Sequence, residues 1–444
     1  MPSFSDLLAE EVEVKKDLIK KHFTYRESSI RSLLDQKLRH YWINFTPKAS
    51  HDLNVVAVDA GVYSRVYANG VAISVARGVA IASSGHEYKM LNLDVSTTVK
   101  KRYFPSYLEF LSELTEYSVA LLALQSERRV DALLIDGSLH GRLLHTPVSL
   151  SVGSNPALYI DLMSKFLELY ERSLKLNTTI IGISKDSTAT ILKRRLIEEL
   201  LTSTLRDQGE DIVASALNVL KVIKESRKLS TIKAQELISK LPSSIASFFK
   251  DLYEEYLYGE TDFSFIQRNV AQGKIDAGFS TPMELGCTSL RIKRFINEAE
   301  KEGFEKVIEQ TWGDFIVSLG EDGAPFIKTS AQKLRRVVEL FPTVASFYVV
   351  LNRLDLPLRV EFFMPRGCFF KSDGFSFLSL ETPLIDEVLN LVSASYGGPD
   401  LYNVWLIAAH KLAKMSKKAF DIYERQIFEQ CEIELSKLRR SWLA

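Results

Sequence analysis

The sequence is poor in cysteine, and it has neither a long apolar run nor an excess of charge of one sign. Its 444 residues include three cysteines, Cys287, Cys368 and Cys431, whose spacing matches no zinc site. No apolar segment approaches the roughly 20 residues that span a bilayer, and the N-terminus lacks the apolar core of a signal peptide. These absences argue against a disulfide scaffold and a transmembrane protein, and we expect a soluble cytoplasmic protein with no membrane partner.

Several catalytic signatures are also missing. The sequence contains no Walker A loop, no dinucleotide fingerprint after a strand and no Gly-x-Ser-x-Gly elbow. Lysine plus arginine and aspartate plus glutamate are balanced at 56 each, which neither supports nor excludes a nucleic-acid partner, because a local basic channel can lie on a neutral molecule. Three basic clusters, at 100–102, 193–195 and 335–336, are either solvated helix faces or phosphate contacts.

The pattern between residues 52 and 188 predicts a mixed sheet. Period-two alternation on both sides of Asn69-Gly70 predicts an antiparallel meander of three strands, with a fourth over 90–95. Helical periodicity follows over 106–128 and 157–175, and each helix is followed by an apolar strand, at 132–136 and 178–183. This order of strands and helices is that of the ribonuclease-H-like fold, an α/β core in which helices flank a mixed sheet.

The rest of the chain predicts a helical insertion and a return to the core. Residues 189–259 are almost wholly helical in pattern. Strand signals then appear at 315–319, 345–352 and 358–364, and the chain closes with helices over about 384–395, 401–415 and 416–439. We therefore predict four parts: an N-terminal helical segment (1–50), the first part of the core (51–188), a helical insertion (189–262), and the second part of the core with the C-terminal helices (263–444).

Two of the predicted strands run into an aspartate. Residues 53–58 lead into Asp59, and residues 132–135 lead into Asp136. A carboxylate at the end of a buried strand is costly to desolvate unless a cation meets it. Each aspartate alone is also typical of a turn residue that caps its own backbone. As a pair on neighbouring strands, they predict a site for a divalent metal.

The helix over 106–128 offers a third acidic ligand. Glu109, Glu113 and Glu116 lie along one face at spacings of four and three residues. The simplest interpretation is a solvated acidic face. The alternative is that one glutamate points inward toward the two aspartates, and the small residues Ala120 and Ala123 on the same stripe favour Glu116.

His410 and Lys185 complete the candidate residues. A lone histidine in a helix is usually a packed or surface residue, and a lysine just after a strand is usually solvated. As site residues, His410 is a candidate ligand and Lys185 a candidate phosphate contact. Oxygen ligands select magnesium or manganese, and a histidine favours manganese. Two such ions, about 3.5–4 Å apart, activate a water and stabilise the leaving oxygen of a phosphodiester.

Four motifs resemble the NurA nuclease family. They are Val-Val-Ala-Val-Asp-Ala-Gly at 55–61, Leu-Leu-Ile-Asp-Gly-Ser-Leu at 133–139, Gly-Ile-Ser-Lys-Asp-Ser at 182–187 and Leu-Ile-Ala-Ala-His-Lys-Leu-Ala at 406–413. The resemblance implies a ribonuclease-H-like core and a manganese-dependent 5′–3′ exonuclease and single-strand endonuclease on DNA, with two ions and with Mg²⁺ as the alternative metal. It also implies a homodimer that binds a hexameric HerA-type translocase in double-strand-break end resection.

The resemblance also assigns residues by position. Asp59, Asp136 and His410 match the family's acidic and histidine ligands, and Lys185 matches the lysine after the later strand. Glu116 matches the glutamate of the intervening helix, with Glu113 and Glu127 as the alternatives.

Two other functions remain alternatives. Val-Asp-Ala-Gly before a hairpin also resembles the first phosphate loop of actin-like and sugar-kinase phosphotransferases, with Asp136-Gly137-Ser138 and Gly397-Gly398 as poor substitutes for that family's other loops. The third reading is a non-catalytic ring-shaped adaptor for a translocase, in which the acids are structural.

Overall fold

The structure is a computed structural model, and it describes residues 3–23, 29–46, 52–67, 69–97, 103–150, 153–185, 187–223, 226–372, 374–378 and 383–433. Contacts divide the chain into two compact units. The first lies within Met1–His40 and Leu196–Gly259, and the second within Tyr41–Arg195 and Glu260–Ala444. The first unit therefore combines the predicted N-terminal segment with most of the predicted insertion.

The strands all belong to the second unit. In chain order they are β1 (Trp42–Asn44), β2 (Val55–Val66), β3 (Ala72–Ala82), β4 (Glu87–Ser96), β5 (Ala132–Asp136), β6 (Thr179–Ser184), β7 (Gly278–Ser280), β8 (Met283–Leu285), β9 (Val344–Val350), β10 (Leu358–Phe363) and β11 (Phe375–Phe377).

The α-helices are, in chain order, α1 (Phe4–Phe23), α2 (Ser29–His40), α3 (Phe104–Ser126), α4 (Leu139–Leu143), α5 (Leu158–Leu176), α6 (Ile191–Leu205), α7 (Glu210–Val222), α8 (Arg227–Ile238), α9 (Ser243–Tyr258), α10 (Asp262–Ala271), α11 (Leu290–Glu302), α12 (Phe304–Ser318), α13 (Gly323–Leu340), α14 (Pro383–Ala394), α15 (Val404–Ala413) and α16 (Lys417–Gln430).

One mixed sheet of eleven strands forms the centre of the second unit within the described residues. Its main path runs β1-β7-β9-β10-β6-β5-β2-β3-β4, with β8 beside β9 and β11 beside β8. The first meander, β2 to β4, is antiparallel, while β5 and β6 are parallel to β2. This confirms the predicted ribonuclease-H-like order and the strand expected over 90–95, which is β4. The meander has three strands rather than the predicted four, because β3 continues without a break through Arg77 and Gly78.

Helices cover both faces of the sheet. Alternate residues of β2 and β5, including Val55, Ala57 and Leu134, belong to a buried cluster that also contains side chains of α14 and α15. The opposite face meets α3: a Cβ on Gly78 of β3 would lie 3.0 Å from the Thr115 carbonyl oxygen and from a Val119 methyl group. The glycine thus lets α3 approach the sheet closely.

One strand prediction was wrong. Residues 315–319, predicted as a strand, lie in and just after α12, which ends at Ser318. Over a longer window the buried residues of α12 recur with helical spacing, at Phe304, Val307, Ile308 and Trp312, and Val317 is exposed. The short apolar run was the end of an amphipathic helix. The last predicted helix, over 416–439, begins as expected, and its residues after 433 lie outside the described residues.

The first unit is helical. α2 buries Ile30, Leu34 and Leu38, and it contacts α9. Arg31 Nε lies 3.0 Å from a carboxylate oxygen of Glu255, which joins the two helices by an ion pair. The N-terminal segment and the insertion thus form part of one packed structure.

No helix in the described ranges is both long and apolar enough to cross a membrane. The three cysteines form no disulfide with one another in the described part of the chain; Cys287 is buried and Cys431 is exposed.

Candidate metal centre

Asp59 and Asp136 lie side by side on neighbouring strands. The last register pair of the parallel strands β2 and β5 is Val58 with Ile135, and the two aspartates follow directly. Side chains alternate between the faces of a sheet, so residues in register share a face. Asp59 and Asp136 therefore point to the face that α14 and α15 cover.

His410 reaches Asp59 from α15. Its Nδ1 lies 2.8 Å from Asp59 Oδ2. Asn403 caps the first turn of α15 by accepting a hydrogen bond of 3.0 Å from the Leu406 amide. At the other end of the helix, a Cβ on Gly61 would lie 2.5 Å from the Ala413 carbonyl oxygen, so only glycine allows this approach. The Asn403 cap and the close approach at Gly61 together place the imidazole of His410 beside the carboxylate of Asp59.

Glu116 is buried on α3, with a side chain 4% exposed. One of its oxygens, Oε2, lies 2.9 Å from Nη2 of Arg142. The other, Oε1, is buried and has no hydrogen-bond partner among the described residues. A buried carboxylate oxygen without a partner is costly, and a cation would relieve that cost.

The pKa values of the acids respond to burial and to each other. Burial raises the pKa of Glu116 to about 8, Arg142 opposes this, and the charge of Asp59 adds to it. Burial also raises the pKa of Asp59; the hydrogen bond to His410 lowers it and the charge of Asp136 raises it. The charge of Asp59 thus acts on Glu116, and the charge of Asp136 acts on Asp59.

Lys185 lies just past β6, beside the pair of aspartates. Its Nζ is 3.9 Å from Asp136 Oδ2 and 4.6 Å from the centre of the Tyr402 ring. The side chain is 41% exposed. It therefore holds a positive charge at the solvent side of the acidic group.

The two alternative glutamates have other partners. Glu127 accepts hydrogen bonds from Ser84 (3.0 Å) and Tyr88 (2.8 Å) and lies 2.9 Å from His86 Nδ1. Glu113 lies one turn before Glu116 on α3, and its Oε2 is 3.0 Å from His145 Nε2. Burial raises the pKa of Glu113, but the charge of Arg142 and the hydrogen bond to His145 outweigh this and hold it below its usual value.

Among the described residues, the group of three ligand-type side chains whose ligand atoms come together is Glu109, Glu113 and His145. One ligand atom of each lies within 4.8 Å of the others, and Asp59, Asp136, Glu116 and His410 form no such group. Glu109 is exposed, and the other two are half-buried. The glutamates of α3 thus differ: Glu116 is paired with Arg142, whereas the preceding two lie beside His145.

Arg142 is a residue that the sequence reasoning did not single out. It lies on α4, six residues after Asp136, between the strand predicted at 132–136 and the helix predicted over 157–175. Its side chain is buried between the acids of α3 and the end of β5. The one signal in the sequence was its position four residues after the Asp-Gly-Ser turn.

The basic clusters differ in their surroundings. The cluster at 100–102 lies outside the described residues. Lys193 is buried, and its ammonium donates to the Glu260 carbonyl oxygen. Arg336 Nη2 lies 2.5 Å from a carboxylate oxygen of Glu171, and Arg335 lies over the Phe304 ring. Lys193 is thus inside the structure rather than at its surface.

The donor set fits a hard divalent cation. Three carboxylates and an imidazole are ligands that manganese accepts, and magnesium accepts the oxygens. Ligands at right angles on one cation, each about 2.1 Å from it, lie about 3 Å apart. The 2.8 Å between His410 Nδ1 and Asp59 Oδ2 matches such a pair. The contact between Asp59 and His410 therefore suits two neighbouring ligands of one cation.

Comparisons with known proteins agree with the resemblance in the motifs. The family model of the NurA domain matches residues 53–415. No sequence of a curated protein matches the chain. The NurA nuclease of Sulfolobus solfataricus has a similar structure, with a TM-score of 0.50 and 13% identity over 98% of this chain and 99% of that one.

Two further similar structures are of NurA with manganese and of NurA bound to dAMP and manganese. The first has 15% identity over 95% of this chain and 98% of that one, with a TM-score of 0.43. The second has 16% identity over 95% and 97%, with a TM-score of 0.38. At these identities the structural likeness concerns the fold.

Proposed function

This chain belongs to the NurA domain family, and from that premise we propose that it is a metal-dependent nuclease that hydrolyses phosphodiester bonds of DNA. The observation that carries the proposal is the placement of Asp59 and Asp136 in register on one face of the sheet, with His410 bonded to Asp59. The family match favours this function over the phosphotransferase alternative.

The proposed ligands are Asp59, Asp136, Glu116 and His410, and the proposed metal is Mn²⁺, with Mg²⁺ as the alternative and two ions as the expected number. When bound, such ions supply an activated water and charge stabilisation of the leaving oxygen. The residues of the chain orient the ligands. The strands fix the separation of the two aspartates. His410 contacts the carboxylate of Asp59, and Arg142 contacts that of Glu116.

Lys185 is proposed as the contact to the DNA backbone. Its ammonium is partly exposed and lies at the edge of the acidic group, where a phosphate entering the site meets it first. Lysine binds phosphate as a point charge, which suits positioning without base specificity.

The proposed activity has two forms, a 5′–3′ exonuclease and an endonuclease on single strands. The test uses purified protein with DNA labelled at either end, and with circular single-stranded DNA, in Mn²⁺, Mg²⁺ or EDTA. Progressive loss from the 5′ end and nicking of the circles, both abolished by EDTA, support the proposal. Intact DNA in every metal, together with binding to a translocase, favours the adaptor.

We also propose that the chain acts as a homodimer. Along α1, which is about 30 Å long, Phe4, Leu8, Val12 and Leu18 are exposed. Residues 4–13 contain four acids and no lysine or arginine, whereas residues 14–23 contain four lysines and one aspartate. Two copies of α1 in antiparallel contact place acids beside lysines and bury the apolar stripe.

Light scattering of the full chain tests this contact. The wild type is expected at twice the chain mass of 50.3 kDa, and Leu8→Asp with Val12→Asp at the mass of one chain. An unchanged dimer in the double variant removes α1 from the interface, and a monomeric wild type removes the dimer.

The proposed partner is a hexameric translocase of the HerA type, and the proposed process is end resection at double-strand breaks. The support is the resemblance of the four motifs to the NurA family. Co-purification of the two proteins, and faster degradation of duplex ends when the translocase hydrolyses ATP, are the expected results. Degradation that the translocase leaves unchanged argues against the pairing.

A further inference from the structure

Arg142 connects Glu116 on α3 to Asp136 at the end of β5. Its Nη2 lies 2.9 Å from Glu116 Oε2 and also donates to the main-chain carbonyl oxygen of Asp136 at 2.9 Å. The guanidinium is buried and lies over the Tyr117 ring, 5.4 Å from its centre. It therefore joins Glu116 to the residue that ends β5.

The two oxygens of Glu116 are in different situations. Arg142 binds Oε2, whereas Oε1 is buried and has no hydrogen-bond partner in the described part of the chain. Glu116 is close enough to Asp59 for the charge of one to act on the other. Held by one oxygen, the carboxylate keeps the other without a hydrogen bond in the described part of the chain.

Arg142 is itself fixed in place through α4. Ser138 Oγ donates to Glu361 Oε2 at 3.0 Å, and the His140 amide donates to the same oxygen at 2.9 Å. Glu361 is fully buried on β10 and forms an ion pair with Arg359. The start of α4 is therefore bonded to the sheet four and two residues before Arg142, on a strand that carries none of the candidate ligands.

We propose that Arg142 is a positioning residue of the metal centre, which directs Oε1 of Glu116 toward the site and holds the end of β5. The inference rests on the proposed function, because it assumes that Glu116 is a ligand. Arginine suits the role, since its planar fork reaches two acceptors in a fixed geometry, and a lysine ammonium does not.

The experiment measures Mn²⁺ binding without DNA, by the loss of the electron paramagnetic resonance signal of free Mn²⁺ during titration. We expect Arg142→Met to weaken Mn²⁺ binding about 10–100-fold, as loss of an outer contact to a ligand does. Saturating Mn²⁺ is expected to restore most of the cleavage rate, because the ligands themselves remain. If Arg142 only supports folding, saturating Mn²⁺ is expected not to restore cleavage by Arg142→Met.

Arg336→Met is the matched control, because Arg336 pairs with Glu171 on an exposed surface; its Mn²⁺ binding is expected to equal that of the wild type. Arg142→Lys keeps the charge and provides the test if the methionine variant does not fold; its binding is also expected to weaken.

Wild-type Mn²⁺ affinity in a folded Arg142 variant overturns the inference alone. A wild-type chain that binds no Mn²⁺ overturns the proposed metal centre, and the inference with it. The two failures are thus distinguishable.

Discussion

His410 Nδ1 lies 2.8 Å from Asp59 Oδ2, although 351 residues separate the two in sequence. This contact joins the last-but-one helix to the first long strand of the sheet. A carboxylate and an imidazole at this distance suit two neighbouring ligands of one cation. In the metal-free chain, the same distance makes them a hydrogen-bonded pair.

Asp59→Asn is expected to abolish DNA cleavage, with a loss of about 100-fold or more, because a neutral amide is a poor replacement for a ligating carboxylate. The asparagine still accepts from His410, so the fold is expected to persist. Cleavage rates in Mn²⁺, with circular dichroism as the check on folding, measure this. Near-normal cleavage by the folded variant contradicts the assignment.

Two glutamates, one on α3 and one directly after it, are expected to differ in their effect on cleavage. Glu116→Gln is expected to reduce cleavage at least about 10-fold, since it neutralises a proposed ligand whose charge interacts with that of Asp59. Glu127→Gln is the matched control, because Glu127 is held by Ser84 and Tyr88, and its activity is expected to remain. Cleavage rates of both variants, measured under the same conditions, show which of the two glutamates is the ligand. If Glu127→Gln is inactive and Glu116→Gln is active, the ligand assignment is reversed.

The metal-free chain is expected to show a specific pH dependence of stability. The pKa of Glu116 is raised by burial to about 8, above its usual 4.5. The folded state then holds a proton that the unfolded state loses, so this contribution is full below about pH 4.5 and is lost as the pH rises through about 8. The glutamine of Glu116→Gln cannot ionise, so the stability of this variant does not fall with pH for this reason.

Urea unfolding in EDTA between pH 5 and 8 measures the effect. Between pH 5 and 8, the free energy of unfolding of Glu116→Gln is expected to rise relative to that of the wild type by about 3–4 kcal/mol. Glu127→Gln is expected to show no such gain, because hydrogen bonds hold the pKa of Glu127 below its usual value. If the free energy of unfolding depends on pH in the same way in the wild type and in Glu116→Gln, the pKa of Glu116 is not raised.

His410 is expected to influence the choice of metal. Imidazole suits manganese better than magnesium, so His410→Asn should lower cleavage in Mn²⁺ about 10-fold and affect cleavage in Mg²⁺ less. The ratio of the two rates, measured on one DNA substrate, is the informative quantity. An equal loss in both metals indicates that His410 acts only by orienting Asp59.

Much of the sheet could be predicted because its signals are local. Alternation around Asn69-Gly70 and the apolar strands before Asp59 and Asp136 depend on neighbouring residues. The hairpin is antiparallel, and the two strands that end at the aspartates are parallel. The same reasoning failed at 315–319, where a five-residue window cannot distinguish a strand from the end of a helix.

The partners of the site residues were harder to predict, because they come from distant parts of the chain. Residues such as Arg142 and Glu361 have no periodic or motif signal, and their role depends on burial beside an acid. Which glutamate of α3 turns inward also depends on how the helix is rotated against the sheet, which no spacing along one helix fixes.

Anomalous scattering from Mn²⁺-soaked crystals would locate the metal ions themselves. We expect manganese bonded to oxygens of both Asp59 and Asp136, with Glu116 and His410 in contact with the ions. Manganese at the Glu109, Glu113 and His145 group, with none between Asp59 and Asp136, would contradict it.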